Sequence, residues 1–216
     1  MNVTNIINSV VNYKRSKRLL SMGIKGYLSD IGWLKSLELG VPVDSNGEPV
    51  PWVTYPFIDF ISERLKDTHR IFEFGSGNST NFYSARASFV HAVEHDEKWV
   101  EYLRRNNFLK GNVSLQHVSL EDGYSRSFEK RSDTGTFDLI IVDGRERVSC
   151  IKSVISLVNE CAVIVLDDSE RERYKDAIEA LTKANYKQLD FYGLAPNVTY
   201  KKCTSVFYKK NNCLNI

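Results

Sequence analysis

Apolar positions along the chain alternate between two periods. Phe57, Ile58, Phe60, Ile61 and Leu65 fall at helical spacing, and Ile71, Phe72 and Phe74 follow as a strand over 70–74. The same alternation then repeats. Helix 79–87 leads to strand 89–93, helix 97–107 to strand 113–117, and a polar stretch with Gly123 and Gly135 to strand 137–142. That last strand is apolar enough to be buried on both faces. Helix 148–158, strand 162–166 and helix 170–184 continue the pattern. The chain closes on strands 186–192 and 203–209, with no helix between them. This order predicts an α/β fold: a doubly wound, mostly parallel sheet of seven strands, ending in an antiparallel hairpin at its edge.

The first 54 residues depart from that pattern and predict a helical N-terminal extension with a lid loop, leaving 55–216 as the main domain. Ile6, Ile7, Val10, Val11, Leu19 and Leu20 recur at helical spacing in a polar background. Lys14, Arg15, Lys17 and Arg18 form a basic run, either a surface for an acidic substrate or anionic lipid or a solvated face; its shortness favours the solvated face. A second helix runs over 27–39 and stops near Gly40 and Pro42. Pro and Asn-Gly then make 42–56 a loop with tight turns. It carries Trp52 and Tyr55, which either anchor the extension on the domain or cover a cofactor or substrate.

Composition narrows the class without naming it. The chain has 216 residues, 42% of them hydrophobic and 26% charged, which are ordinary globular values. Its 29 basic and 27 acidic residues leave a net charge of +2, which offers no electrostatic argument for a nucleic-acid partner. Cys150, Cys161, Cys203 and Cys213 show no zinc spacing and suit a reducing cytoplasm. No apolar run approaches the roughly 20 residues of a transmembrane helix, and the first twenty positions hold no signal-peptide core. The expectation is a soluble, cytoplasmic protein.

Chemistry concentrates where strand 70–74 runs into Gly75-Ser76-Gly77-Asn78-Ser79-Thr80. A strand, a tight glycine turn and a helix start together cradle a nucleotide-like ligand, because backbone approaches closely and the first helical N–H groups are free. Thr80 stands where a dinucleotide fingerprint has its third glycine, which counts against NAD and flavin. Glu73, just before the glycines, would repel a pyrophosphate but accept hydrogen bonds from an ammonium group. The loop suits a cationic, phosphate-free nucleoside. Glu94 ends the next strand about twenty residues on, where an acidic side chain can hold ribose hydroxyls.

Glu73-Phe74-Gly75-Ser76-Gly77 resembles motif I of the class I S-adenosylmethionine (SAM) methyltransferases, and the resemblance spans roughly residues 55–209. It implies SAM as cofactor, with Glu94 on the ribose and Glu73, Gly75, Ser76, Gly77, Asn78, Ser79, Thr80 and Asp143 among the cofactor-binding residues. His95 is placed beside the adenine, with Ser119 and Leu120 as positional candidates for the same pocket. In the metal-dependent catechol-type O-methyltransferases, an Asp ends the fourth strand and an Asp-Asn pair the fifth. Asp143 and Asp167-Asp168 fall at matching positions, with Asp168 in place of Asn. By this resemblance Asp143 and Asp168 are catalytic candidates, and Asp143, Asp167 and Asp168 are candidate ligands for Mg²⁺ or Mn²⁺. Two rival readings remain. Ser169-Glu170-Arg171-Glu172 has capping-box spacing, so the Asp pair would serve a helix start. Arg145 and Arg147 would neutralise the carboxylates without metal, or Arg145 would bind an acidic substrate.

No Asn/Asp-Pro-Pro-Tyr/Phe sequence follows the fourth strand and no Pro-Cys pair is present, which disfavours amino-methylation of a nucleobase and C5-cytosine chemistry. The resemblance therefore implies O-methylation of a small molecule or saccharide. An aminopropyl-type transferase on the same fold, or a non-catalytic SAM-fold binding module, stays open.

Overall fold

The computed structural model describes residues 12–106 and 108–216. The apolar spacing at Ile6, Ile7, Val10 and Val11 therefore lies outside the described residues, as does Asn107, the last position expected in helix 97–107. Among the described residues three helices come first: α1 (Tyr13–Ile24), α2 (Tyr27–Asp30) and α3 (Trp33–Leu39). The single helix expected over 27–39 is broken at Gly32, whose φ is 78°. A side chain there would meet the Asp44 backbone at 2.3 Å, so the break lets the following loop pack close.

The main domain runs α4 (Tyr55–Ser62), β1 (Arg70–Phe74), α5 (Asn78–Ser84), β2 (Phe89–Glu94), α6 (Glu97–Arg105) and β3 (Val113–His117). It continues through β4 (Leu139–Val142), α7 (Arg147–Val154), β5 (Val163–Asp167), α8 (Lys175–Lys183), β6 (Lys187–Gly193) and β7 (Lys202–Tyr208). The polar stretch before β4 holds two 3-10 turns, Tyr124–Arg126 and Thr134–Thr136. The sheet order is β3-β2-β1-β4-β5-β7-β6. The first five strands pair in parallel, and β7 lies antiparallel between β5 and β6. The seven-stranded sheet and its antiparallel edge are as the alternation predicts.

Period-two alternation sorts the strands between two cores. Phe72, Phe74, Ile140, Val142, Ile164 and Leu166 face one cluster, closed by Phe128, Phe137, Ile151, Val154 and Leu181. Ile71, Leu139, Ile141, Val163, Val165 and Val206 face the other, closed by Val53, Tyr55, Phe57, Ile61, Phe82 and Tyr83. Extending the second register by one step places Glu73, Asp143 and Asp167 on that same face, at the carboxyl ends of β1, β4 and β5. The chain reverses its direction of winding between β1 and β4, so a crevice opens beyond those ends.

Two sequence expectations give way here. Tyr55 opens α4 and is 3% exposed, so it anchors the helix in the core, away from the cavity lining. The capping box at Ser169 does not form. Ser169 Oγ lies 2.6 Å from Ser205 Oγ on β7, and α8 begins only at Lys175, after a 3-10 turn at Glu172–Tyr174. The strand brought alongside competes for the hydroxyl that would have capped the helix.

Candidate active site

β1 ends at Phe74, and Gly75 turns the chain with φ 106°; a Cβ there would stand 3.3 Å from the Gly144 amide nitrogen. α5 then opens at Asn78. The hydroxyls of this turn are aimed at Glu73. Thr80 Oγ1 donates to Glu73 Oε2 at 2.7 Å and accepts from the Gly77 amide at 3.0 Å, while Ser79 Oγ donates to Oε1. Glu73 is 1% exposed. Burial pushes its carboxyl up to about 7, the two hydroxyls pull it down, and the Glu94 charge adds to the rise.

Glu94 ends β2 with its carboxylate held from three sides. Oε1 accepts from the His95 and Asp96 amides at 2.8 and 3.1 Å, and Oε2 accepts from Ser76 Oγ at 3.2 Å. The His95 ring nitrogen lies 2.7 Å from Oε1. These bonds fix the side chain at the edge of a cavity of about 560 Å³. Its walls include Glu73, Gly75, Ser76, Gly77, Asn78, Ser79, Glu94, His95, Asp143 and Arg145. Thr80 stands behind the wall as the partner of Glu73. Gly40, Val41, Pro42 and Trp52 close the cavity from the extension, tied down where Asn78 Nδ2 donates to Pro42 O at 2.6 Å. Trp52 thus lines the site that Tyr55 does not reach.

Ser119 and Leu120 do not line it. Ser119 Oγ donates to Asp122 at 2.8 Å and Leu120 packs on the core, because the chain leaving β3 folds into a turn. The wall near Glu94 carries Trp99 instead, whose indole donates to Ser76 O at 2.9 Å and stacks on Tyr102 at 5.2 Å. Trp99 lies one turn into α6, opened by the Asp96 cap. The motif places its chemistry at strand ends, and nothing in it points to that helix.

At β4 and β5 the carboxylates are met by cations. Asp143 lines the cavity, and its Oδ1 accepts from Arg147 Nη2 at 2.9 Å. Burial first and Asp167 next push the Asp143 carboxyl above the usual range, against Arg147 and Lys202. Lys202 Nζ lies 2.9 Å from Asp167 Oδ2 and 2.9 Å from Asp168 Oδ1. Arg171 reaches Asp168 Oδ2 at 2.8 Å, and Thr204 Oγ1 donates to Asp167 Oδ1 at 2.8 Å. Burial opposes the Lys202 charge, yet the two carboxylates outweigh it and push the ammonium up to about 12.

This donor set does not fit a divalent metal. The oxygens of Asp167 and Asp168 that would ligate Mg²⁺ or Mn²⁺ are committed to Lys202, Arg147, Arg171 and Thr204, and the expectation of a metal centre is corrected on that ground. Asp168, 4% exposed and absent from the cavity wall, is likewise withdrawn as a catalytic candidate. Lys202 was legible in principle: β7 runs antiparallel, so its first residues lie beside the carboxyl end of β5, with Thr204 opposite Asp167.

No protein-family model and no curated protein matches the chain. Solved structures do resemble it. A precorrin-6y C5,15-methyltransferase from Geobacter metallireducens superposes with a TM-score of 0.57 at 17% identity, covering 72% of this chain and 87% of that one. A tRNA (m1A58) methyltransferase from Aquifex aeolicus gives 0.55 at 19% identity, covering 80% and 74%. A putative caffeoyl-CoA O-methyltransferase from Staphylococcus aureus gives 0.54 at 13% identity, covering 89% and 98%. Among the described residues no helix is long and apolar enough to cross a membrane. The strand order, the glycine turn and these likenesses agree: the chain has the Rossmann-like fold of the class I SAM-dependent methyltransferases.

Proposed function

We propose that the protein binds SAM and transfers its methyl group to an oxygen of a small-molecule or saccharide acceptor. The observation that carries this reading is Glu73. Its carboxylate is buried at the cavity wall, its neighbours are two hydroxyls and another carboxylate, and among the described residues no cation stands beside it. A buried carboxylate needs such a partner, and the ammonium of the SAM methionine moiety supplies one. Glu94, fixed by two amides and a hydroxyl, takes the ribose. Trp99 and His95 offer flat surfaces beside it for the adenine.

SAM would supply a methyl group on an electrophilic sulfonium carbon. The chain's part is to align an acceptor oxygen with that carbon and to take its proton. Asp143 is the group for the proton. It lines the cavity, and burial beside Asp167 raises its affinity for a proton. Near balance of 29 basic and 27 acidic residues supports a small acceptor over a nucleic acid. Calorimetry with S-adenosylhomocysteine (SAH), the demethylated product, followed by an acceptor screen with labelled SAM, tests the reading. Failure of SAH to bind would remove it.

A further inference from the structure

Beside the cavity lies a second groove of about 370 Å³, entered past Gly144, Arg145 and Arg147, which line both spaces. The groove is rich in guanidinium groups, and their states differ. Arg147 is saturated by Asp143, Gly144 and the Asp167-Asp168 pair. Arg171 is held by Asp168. Arg145 and Arg173 are exposed and form no ion pair among the described residues; Arg173 lies only against the Tyr174 ring, 4.8 Å from its centroid. One carboxylate, Glu146, shares the groove and is exposed.

The surrounding carboxylates are therefore already matched, and the groove keeps two uncommitted guanidinium groups against one carboxylate. Guanidinium groups bind phosphate and carboxylate oxygens in paired, directional hydrogen bonds. Arg145 stands where groove and cavity meet, next to Asp143. A ligand anchored by Arg145 and Arg173 would extend toward the proton-accepting carboxylate. We propose that this groove seats an oxyanion, a phosphate or carboxylate, carried by the methyl acceptor. The proposal rests on the reading of the cavity as the SAM site and names the acceptor's class: an anionic small molecule with its methylated oxygen a short distance from the anionic group. Glu146 sets a limit on that affinity and gives the proposal a sign that can be checked.

The test is calorimetry on the full chain saturated with SAH, titrated with inorganic pyrophosphate and, separately, with malonate. Pyrophosphate binding with malonate silent assigns a phosphate; the reverse assigns a carboxylate. The double variant Arg145→Ala/Arg173→Ala is expected to weaken the preferred anion by about tenfold or more, Arg173→Ala alone, away from the cavity wall, to weaken it with SAH affinity unchanged, and Glu146→Gln to strengthen it. If neither anion binds, or the double variant binds as the wild type does while SAH still binds, the proposal is overturned. A drop in SAH affinity in the double variant would assign Arg145 to the donor's own carboxylate and overturn it equally. Failure of SAH to bind the wild type would strike the function reading instead, and the anion titration of the unliganded protein then still decides whether the groove holds an oxyanion.

Discussion

Lys202 Nζ sits 2.9 Å from Asp167 Oδ2, and the same ammonium reaches Asp168 Oδ1 at 2.9 Å. A side chain from the antiparallel strand thus occupies the position between two carboxylates that a resemblance to catechol-type enzymes would give to a metal. This pairing predicts turnover that needs no metal. Turnover should be unchanged by a chelator. Lys202→Met leaves two buried carboxylates undercompensated and should lower unfolding free energy by about 3–5 kcal/mol in a denaturant titration. Mn²⁺ should raise the melting temperature of that variant and leave the wild type unmoved. Activity abolished by chelator and restored by Mg²⁺ would overturn this account.

Glu94 presents one carboxylate to the cavity with its geometry set by the His95 and Asp96 amides. Glu94→Gln keeps the shape and removes the charge, so SAH affinity should fall by about 1–3 kcal/mol in calorimetry. Circular dichroism should stay native, since the backbone amides can still bond the amide oxygen. Unchanged affinity would remove the ribose assignment.

Asp143 and Asp168 stood together as catalytic candidates, and their surroundings separate them. Asp143 faces the cavity, whereas Asp168 is enclosed by Lys202, Arg147 and Arg171. Asp143→Asn should cut turnover by about 10² or more while SAH still binds, because the proton-accepting charge is lost along with its ion pair to Arg147. Asp168→Asn should show first as a lower melting temperature, with the surviving folded fraction active. Equal kinetic losses in both variants, with stability intact, would put Asp168 back in the mechanism.

How much of this was readable from residues alone depends on the range of the interaction. The β/α alternation and the glycine turn are local, so period and spacing reveal them. Glu73 and Glu94 follow from the same logic, since one stands a residue before the end of its strand and the other at the end, each after an unmistakable apolar run. The losses came where distant segments meet. Lys202 is 35 residues from Asp167 and faces it only because β7 inserts beside β5. Ser169 had the spacing of a cap but was taken by Ser205 from that same strand. Tyr55 looked like a loop aromatic because Pro56 follows it, yet Pro is tolerated in the first turn of a helix, and α4 starts there.

The pH dependence of ligand binding tests Glu73 directly. Its folded-state pKa is raised to about 7 from a reference of 4.5. Between those values the folded state holds a proton that the unfolded state has released. The protein without ligand is therefore most stabilised by this group below the lower value, and that contribution is lost as pH rises through the upper one. Bound ligand reverses the preference, because an ammonium beside Glu73 favours the ionised form. SAH affinity should thus climb from about pH 5.5 to about pH 7 and then level, by at most about tenfold per unit for one proton. Within that window binding should release a proton, seen as a calorimetric enthalpy that varies with the ionisation enthalpy of the buffer. Glu73→Gln should bind more weakly, with a flat profile and no proton release. If the wild-type slope persists in Glu73→Gln, the titrating group lies elsewhere and the ammonium assignment fails with it.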